Sequence, residues 1–174
     1  MSELHGAGLK VATADRALLH GLDLDLYPGQ CVALVGESGS GKTVLGLSIM
    51  GLVDRPGRVT AGRIAFGGTE ITNYSEAQWQ GLRGNRIAMI FQDPMTSLNP
   101  VYTIGQQIEE TLILHEEMSK QERHERCIEL LTAMGISEPE KRLKNYPHEF
   151  SGGMRQRVVI AIALASNPQL IIAD

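Results

Sequence analysis

The stretch GESGSGKT, residues 36–43, decides how this chain folds. It fits the spacing G-x-x-x-x-G-K-[ST], with Gly36, Gly41, Lys42 and Thr43 in the required places. Glycines at 36, 39 and 41 carry no Cβ, so the backbone there can take left-handed dihedrals and come close to an anion. Successive N–H groups then converge as a nest, and the helix that follows adds the positive end of its dipole. Lys42 supplies a point charge for β- and γ-phosphates, and the Thr43 hydroxyl is placed to ligate Mg²⁺. Both flanks suit the motif. CVALV, residues 31–35, is a continuous apolar run, the pattern of a strand buried on both faces. VLGLSIMGLV, from residue 44, has the length and spacing of a helix. Strand, glycine loop and helix open a βαβ unit, which makes the fold α/β. The candidate nucleotide-binding residues are therefore Gly36, Glu37, Ser38, Gly39, Ser40, Gly41, Lys42, Thr43 and Val44.

A loop of this kind needs a carboxylate at the end of a neighbouring strand to hold the metal, usually through water. QLIIAD, residues 169–174, is an apolar run that delivers Asp174 at its tip, in the pattern of a buried strand. Thr43 and Asp174 are the metal-site candidates that follow from chemistry alone.

Composition bounds the rest. Of the 174 residues 43% are hydrophobic and 21% charged, which is the balance of a soluble globular protein. The longest uninterrupted apolar run, residues 158–165, is less than half of the ~18–20 residues that a membrane span requires. The first ten residues, MSELHGAGLK, lack the basic start and apolar core of a secretory signal. A net charge of −4 and a pI near 5.7 argue against the broad basic face of a nucleic-acid binder. Cys31 and Cys127 form no C-x-x-C pair and read as buried, reduced thiols. The five histidines show no metal-ligand spacing on a shared helix face.

Along the chain, LKVAT and ALLHGLDLDLYPGQ alternate apolar and polar residues as half-buried strands do, and YPGQ supplies a turn. GRIAFGG and RIAMIFQ read as further strands, followed by a turn-rich loop, DPMTSLNP. From residue 101 to about 147 the pattern is helical. Ser119 and Glu122 make an S-x-x-E capping box, Cys127, Leu131 and Met134 share a face, and Gly135 ends that helix. SGGMRQRVVIAIALA opens a last helix that stops before Asn167 and Pro168, and QLIIA returns to the sheet.

FQDPMTSLNP and EFSGGMRQRVVIAIALA, taken with the glycine loop, resemble the ATP-binding subunits of ABC transporters. QDPMTSLNP, SGGMRQRV, IMGLVDRPGRV and YPHEFSGG are most similar to the dipeptide and oligopeptide importer group, to which nickel importers are close. The likeness runs from about residue 8 to residue 174. It implies a RecA-like P-loop core with N-terminal antiparallel strands, residues 1–92 and 151–174, and an inserted helical subdomain, residues 93–150. The C-terminal part of such a cassette would lie beyond residue 174. Gln92 would touch Mg²⁺ at the junction of core and helical subdomain and sense the γ-phosphate. Ser151, Gly152, Gly153 and Met154 would be the signature motif, facing the γ-phosphate bound to the opposite subunit. That role has a local rationale, since a serine and two glycines at a helix N-terminus form a second anion site. Implied cofactors are ATP and Mg²⁺. Implied partners are a homologous ATPase subunit in a homo- or heterodimer, a membrane permease on the helical subdomain and, indirectly, an extracytoplasmic solute-binding protein, but no nucleic acid. The place of work would be the cytoplasmic face of the membrane.

The sequence departs from the family pattern in three places. Phe150 and Met154 stand where leucine and glutamine are commonest in the signature. No aromatic residue precedes Tyr27 to stack on a base. The glutamate that polarises the attacking water would follow Asp174, with an interface loop and a histidine after it. The expectation is thus a chain that binds ATP without hydrolysing it and is a fragment of a longer subunit, with no catalytic residue among the 174. A soluble ABC-type ATPase acting on nucleic acid or ribosomes is the alternative, but would want zinc-ligating cysteines, heptads or basic arms. A small-molecule kinase would leave SGGMRQR unexplained.

Overall fold

The structure, a computed structural model, describes residues 3–93 and 97–174. The chain divides into two compact units, one formed by residues 1–80 with Asp174 and the other by residues 81–173.

The first unit is built on an antiparallel sheet of β1 (Leu4–Ala12), β2 (Ala17–Leu26), β3 (Arg58–Phe66) and β4 (Thr69–Glu70), in the order β2-β1-β3-β4. The alternating pattern has its expected result, with Leu4, Leu9, Val11, Ile64 and Phe66 buried in the core. The register of β1 slips between Gly6 and Leu9, where the Asp23 carboxylate accepts a 2.6 Å hydrogen bond from the Gly8 N–H. YPGQ turns as expected, its Gln30 N–H donating to the Tyr27 carbonyl at 3.0 Å. α1 (Lys42–Ile49) follows the glycine loop and buries Leu45, Gly46, Ser48 and Ile49. α2 (Glu76–Gln80) carries the buried Trp79.

Residues 31–35 correct the sequence reading. They form no strand, pair with no neighbour among the described residues, and are exposed, Val35 at 92%. Cys31 is accordingly exposed, whereas Cys127 is buried. An apolar run becomes a two-faced strand only if hydrogen-bonding partners flank both edges, and here none does.

The second unit holds β5 (Ile87–Ile90) and β6 (Leu170–Ala173), paired in parallel with Ile87 opposite Leu170 and Ile90 opposite Ala173. QLIIA therefore returns to a sheet, but β6 is only half-buried, with Ile171 42% exposed. Around the pair lie α3 (Ile104–His115), α4 (Lys120–Ala133), the short α5 (Pro139–Arg142), a 3₁₀ turn (Pro147–Glu149) and α6 (Gly152–Leu164). α6 packs on β5 as well as on α3 and α4. The shared core includes Ile104, Ile108, Leu112, Leu131 and Val158, each no more than 0% exposed.

Capping sets the helix ends. The Ser119 hydroxyl accepts from the Glu122 N–H, and the Glu122 carboxylate accepts from the Ser119 N–H at 2.7 Å. The Ser119 hydroxyl and then the Ser119 N–H, each hydrogen-bonding the Glu122 carboxylate, hold that carboxyl below its ordinary pKa. A second box, Thr103 with Gln106, starts α3. Gly135, at φ 67°, follows α4 as its expected stop. Burial of Cys127, then the nearby Glu109 carboxylate, pushes that thiol up to about 12. Among the described residues no helix is long and apolar enough to cross a membrane.

Candidate phosphate-binding site

The glycine loop lies in the first unit. Gly39 and Gly41 take positive φ, 79° and 96°, the region open to glycine at little cost. Gly41 is constrained a second way. A Cβ there would stand 2.7 Å from Leu19 Cδ2 and 3.1 Å from the Leu18 carbonyl, both on β2. At Gly36 a Cβ would meet the Ser40 hydroxyl at 2.8 Å. The loop is drawn tight by the Ser40 N–H, which donates to the Glu37 carbonyl at 3.2 Å.

Lys42 folds back over this bend. Its ammonium donates to the carbonyls of Gly36 at 2.9 Å and Glu37 at 2.8 Å, and to the Ser40 hydroxyl at 3.4 Å. The charge is thus held at the mouth of the loop, at the N-terminal end of α1, whose first N–H groups have no partner within the helix. Thr43 and Asp174 meet directly. The Thr43 hydroxyl lies 2.9 Å and 3.0 Å from the two Asp174 carboxylate oxygens. Residues 131 apart in sequence are thereby brought into one oxygen-rich cluster. A hydroxyl and a carboxylate are the hard oxygen donors that Mg²⁺ prefers, so the donor set fits that ion.

Val44 lies within α1, half-buried, and its backbone carbonyl accepts from the buried Ser48 hydroxyl at 2.6 Å. A cleft of about 380 Å³ opens beside the loop, lined by Leu18, Leu19, His20, Gly21, Leu22 and Ser40. Sequence reasoning missed this wall. Nothing local in residues 18–22 signals it, because only the return of β2 past the loop creates it.

The remaining candidates lie in the second unit. Gln92 is exposed, two residues beyond β5. Pro94, Met95 and Thr96 of the loop after it lie outside the described residues. Ser151 is the N-cap of α6, its hydroxyl accepting from the Met154 N–H at 3.3 Å. Gly152 and Gly153 are exposed, and a Cβ on either would meet nothing within 4 Å. The end of α6 is thus open to solvent, with its glycines under no packing constraint.

A glycine-rich bend, a lysine over it, a helix behind it and a Thr–Asp oxygen pair define a P-loop nucleotide-binding fold. Comparison with known proteins takes this one step further. The ABC transporter family model matches residues 19–174. The oligopeptide transport ATP-binding proteins AppD and OppD of Bacillus subtilis (strain 168) are 54% and 53% identical to it, over 88% and 90% of this chain. The dipeptide transport ATP-binding protein DppD of Escherichia coli (strain K12) is 53% identical over 84% of it. The chain spans 47%, 44% and 45% of these three relatives. Among solved structures, the dimeric post-hydrolysis state of the cassette MJ0796, bound to ADP and Pi, superposes with a TM-score of 0.85 at 28% identity, covering 98% of this chain and 73% of that one. The chain belongs to the ABC transporter family, and its fold is the α/β ABC cassette, present in part.

Proposed function

We propose that this chain is the nucleotide-binding part of an ATPase subunit that powers peptide uptake through a membrane permease. The observation that carries the reading is the direct contact between Thr43 and Asp174, which completes an oxygen cluster at the phosphate loop. ATP would lie with its phosphates along residues 36–43, and Lys42 would exchange its two carbonyl partners for phosphate oxygens. Thr43 and Asp174 would hold Mg²⁺, and the ion would neutralise charge on the β- and γ-phosphates; a metal and γ-phosphate role for Gln92 rests on the family resemblance alone.

Peptide cargo rests on the names of the relatives, AppD, OppD and DppD. Pairing with a second cassette rests on the dimeric MJ0796 structure, and the open N-terminus of α6 at Ser151, Gly152 and Gly153 suits the trans-anion role of the signature. The core of residues 1–92 and 151–174, the helical subdomain of residues 93–150, its permease contact and the cytoplasmic-face location belong to the same proposal. Calorimetry with MgATP tests its centre. Lys42→Ala should abolish binding, and an unchanged affinity would remove the phosphate loop from the account.

A further inference from the structure

We propose that Trp79 is a positioning residue for the phosphate loop, acting through the far end of α1; this deepens, and rests on, the phosphate-site reading above. α1 has eight residues, a rod of about 12 Å. Its N-terminus carries Lys42 and Thr43. Its C-terminus is closed by a left-handed glycine cap, with Gly51 at φ 62° and the Leu52 N–H donating back to the Leu47 carbonyl at 2.8 Å.

The Trp79 indole is seated on that cap. A Cβ added to Gly51 would fall 2.5 Å from Cζ2 and 2.6 Å from Nε1, so the ring occupies the space that any other residue at 51 would need. Trp79 is only 6% exposed, and the Tyr74 ring backs it edge-on at 5.7 Å. Leu45 and Ile49, 3% and 5% exposed, anchor the flank of the same helix. A rod this short and this tightly held tilts as one body. A change of seat at Gly51 therefore becomes a change in where the first N–H groups, Lys42 and Thr43 point. Convergent donors lose an anion quickly when displaced by a fraction of an ångström.

A ring that merely fills the core would affect stability and leave affinity alone, which separates the two roles. MgATP affinity is measured by calorimetry at a temperature where thermal melts show each variant folded. Trp79→Ala should weaken binding about tenfold and Trp79→Phe, which keeps a flat ring on Gly51, should recover most of it. Affinities of both variants within about twofold of the unchanged chain, with a lowered melting temperature, would overturn the proposal. Trp79 is the chain's single tryptophan, so a second measurement needs no variant. Its emission should change along the same MgATP titration, and a flat signal while calorimetry saturates would also overturn it. Failure of the unchanged chain to bind MgATP at all would instead sink the phosphate-site reading.

Discussion

Lys42 shows how one side chain can stabilise a loop and still be ready for a ligand. Its ammonium makes three hydrogen bonds within the bend, to two carbonyls and a hydroxyl, so the partners it would exchange for phosphate oxygens are neutral. Gly41 illustrates a different constraint. Its positive φ is legible in the motif, but the Leu19 methyl 2.7 Å from a hypothetical Cβ is a long-range contact that no spacing announces. The two cysteines separate on the same grounds. Cys31 is exposed and Cys127 is 1% exposed with its thiol held to about 12. An aromatic disulfide reagent should label Cys31 promptly and Cys127 only in denaturant; equal labelling rates in the native chain would contradict this burial. Because the folded thiol ionises later than the unfolded one, Cys127 contributes stability below the ordinary thiol range near 9.0. That contribution is lost as the pH rises toward about 12.

Among the elements, helices follow local rules, whereas a continuous apolar run becomes a strand only where a partner segment arrives. α4 begins at the Ser119 box and ends at Gly135, and α6 is capped by Ser151, all within reach of a few neighbouring residues. The Thr103 box, in which Gln106 takes the place that Glu122 has in the Ser119 box, obeys the same rule. Thr103→Ala should cost about 1 kcal/mol, lowering the melting temperature by about 2–4 °C. A melt that does not move would show that the 3.3 Å bond to the Gln106 N–H contributes nothing. Residues 31–35 had as strong an apolar pattern as β5, yet only β5 found a partner, in β6.

At the scale of the whole molecule, the chain spans 44–47% of the length of the relatives it matches. Within that span the phosphate loop, Lys42 and the Thr43–Asp174 pair are joined by hydrogen bonds. MgATP should therefore bind at this loop, and a calorimetric titration with no heat of binding would contradict the assignment. Exposed Val32, Leu34 and Val35 in one unit and Ile171 in the other are apolar surface left uncovered within these residues.

By itself, the sequence determined the phosphate loop, the helix caps and the period-2 strands of the first sheet, because each depends on residues a few positions apart. The ABC family was legible too, in three short stretches in order: the glycine loop, FQDPMTSLNP and EFSGGMRQR. Only the tertiary structure decided that Asp174 reaches Thr43, that β2 walls the loop, that the Trp79 ring sits on Gly51, and that residues 31–35 stay unpaired. Those outcomes depend on which distant segment arrives at an edge or a face, and hydrophobic pattern specifies the wish for a partner without naming one.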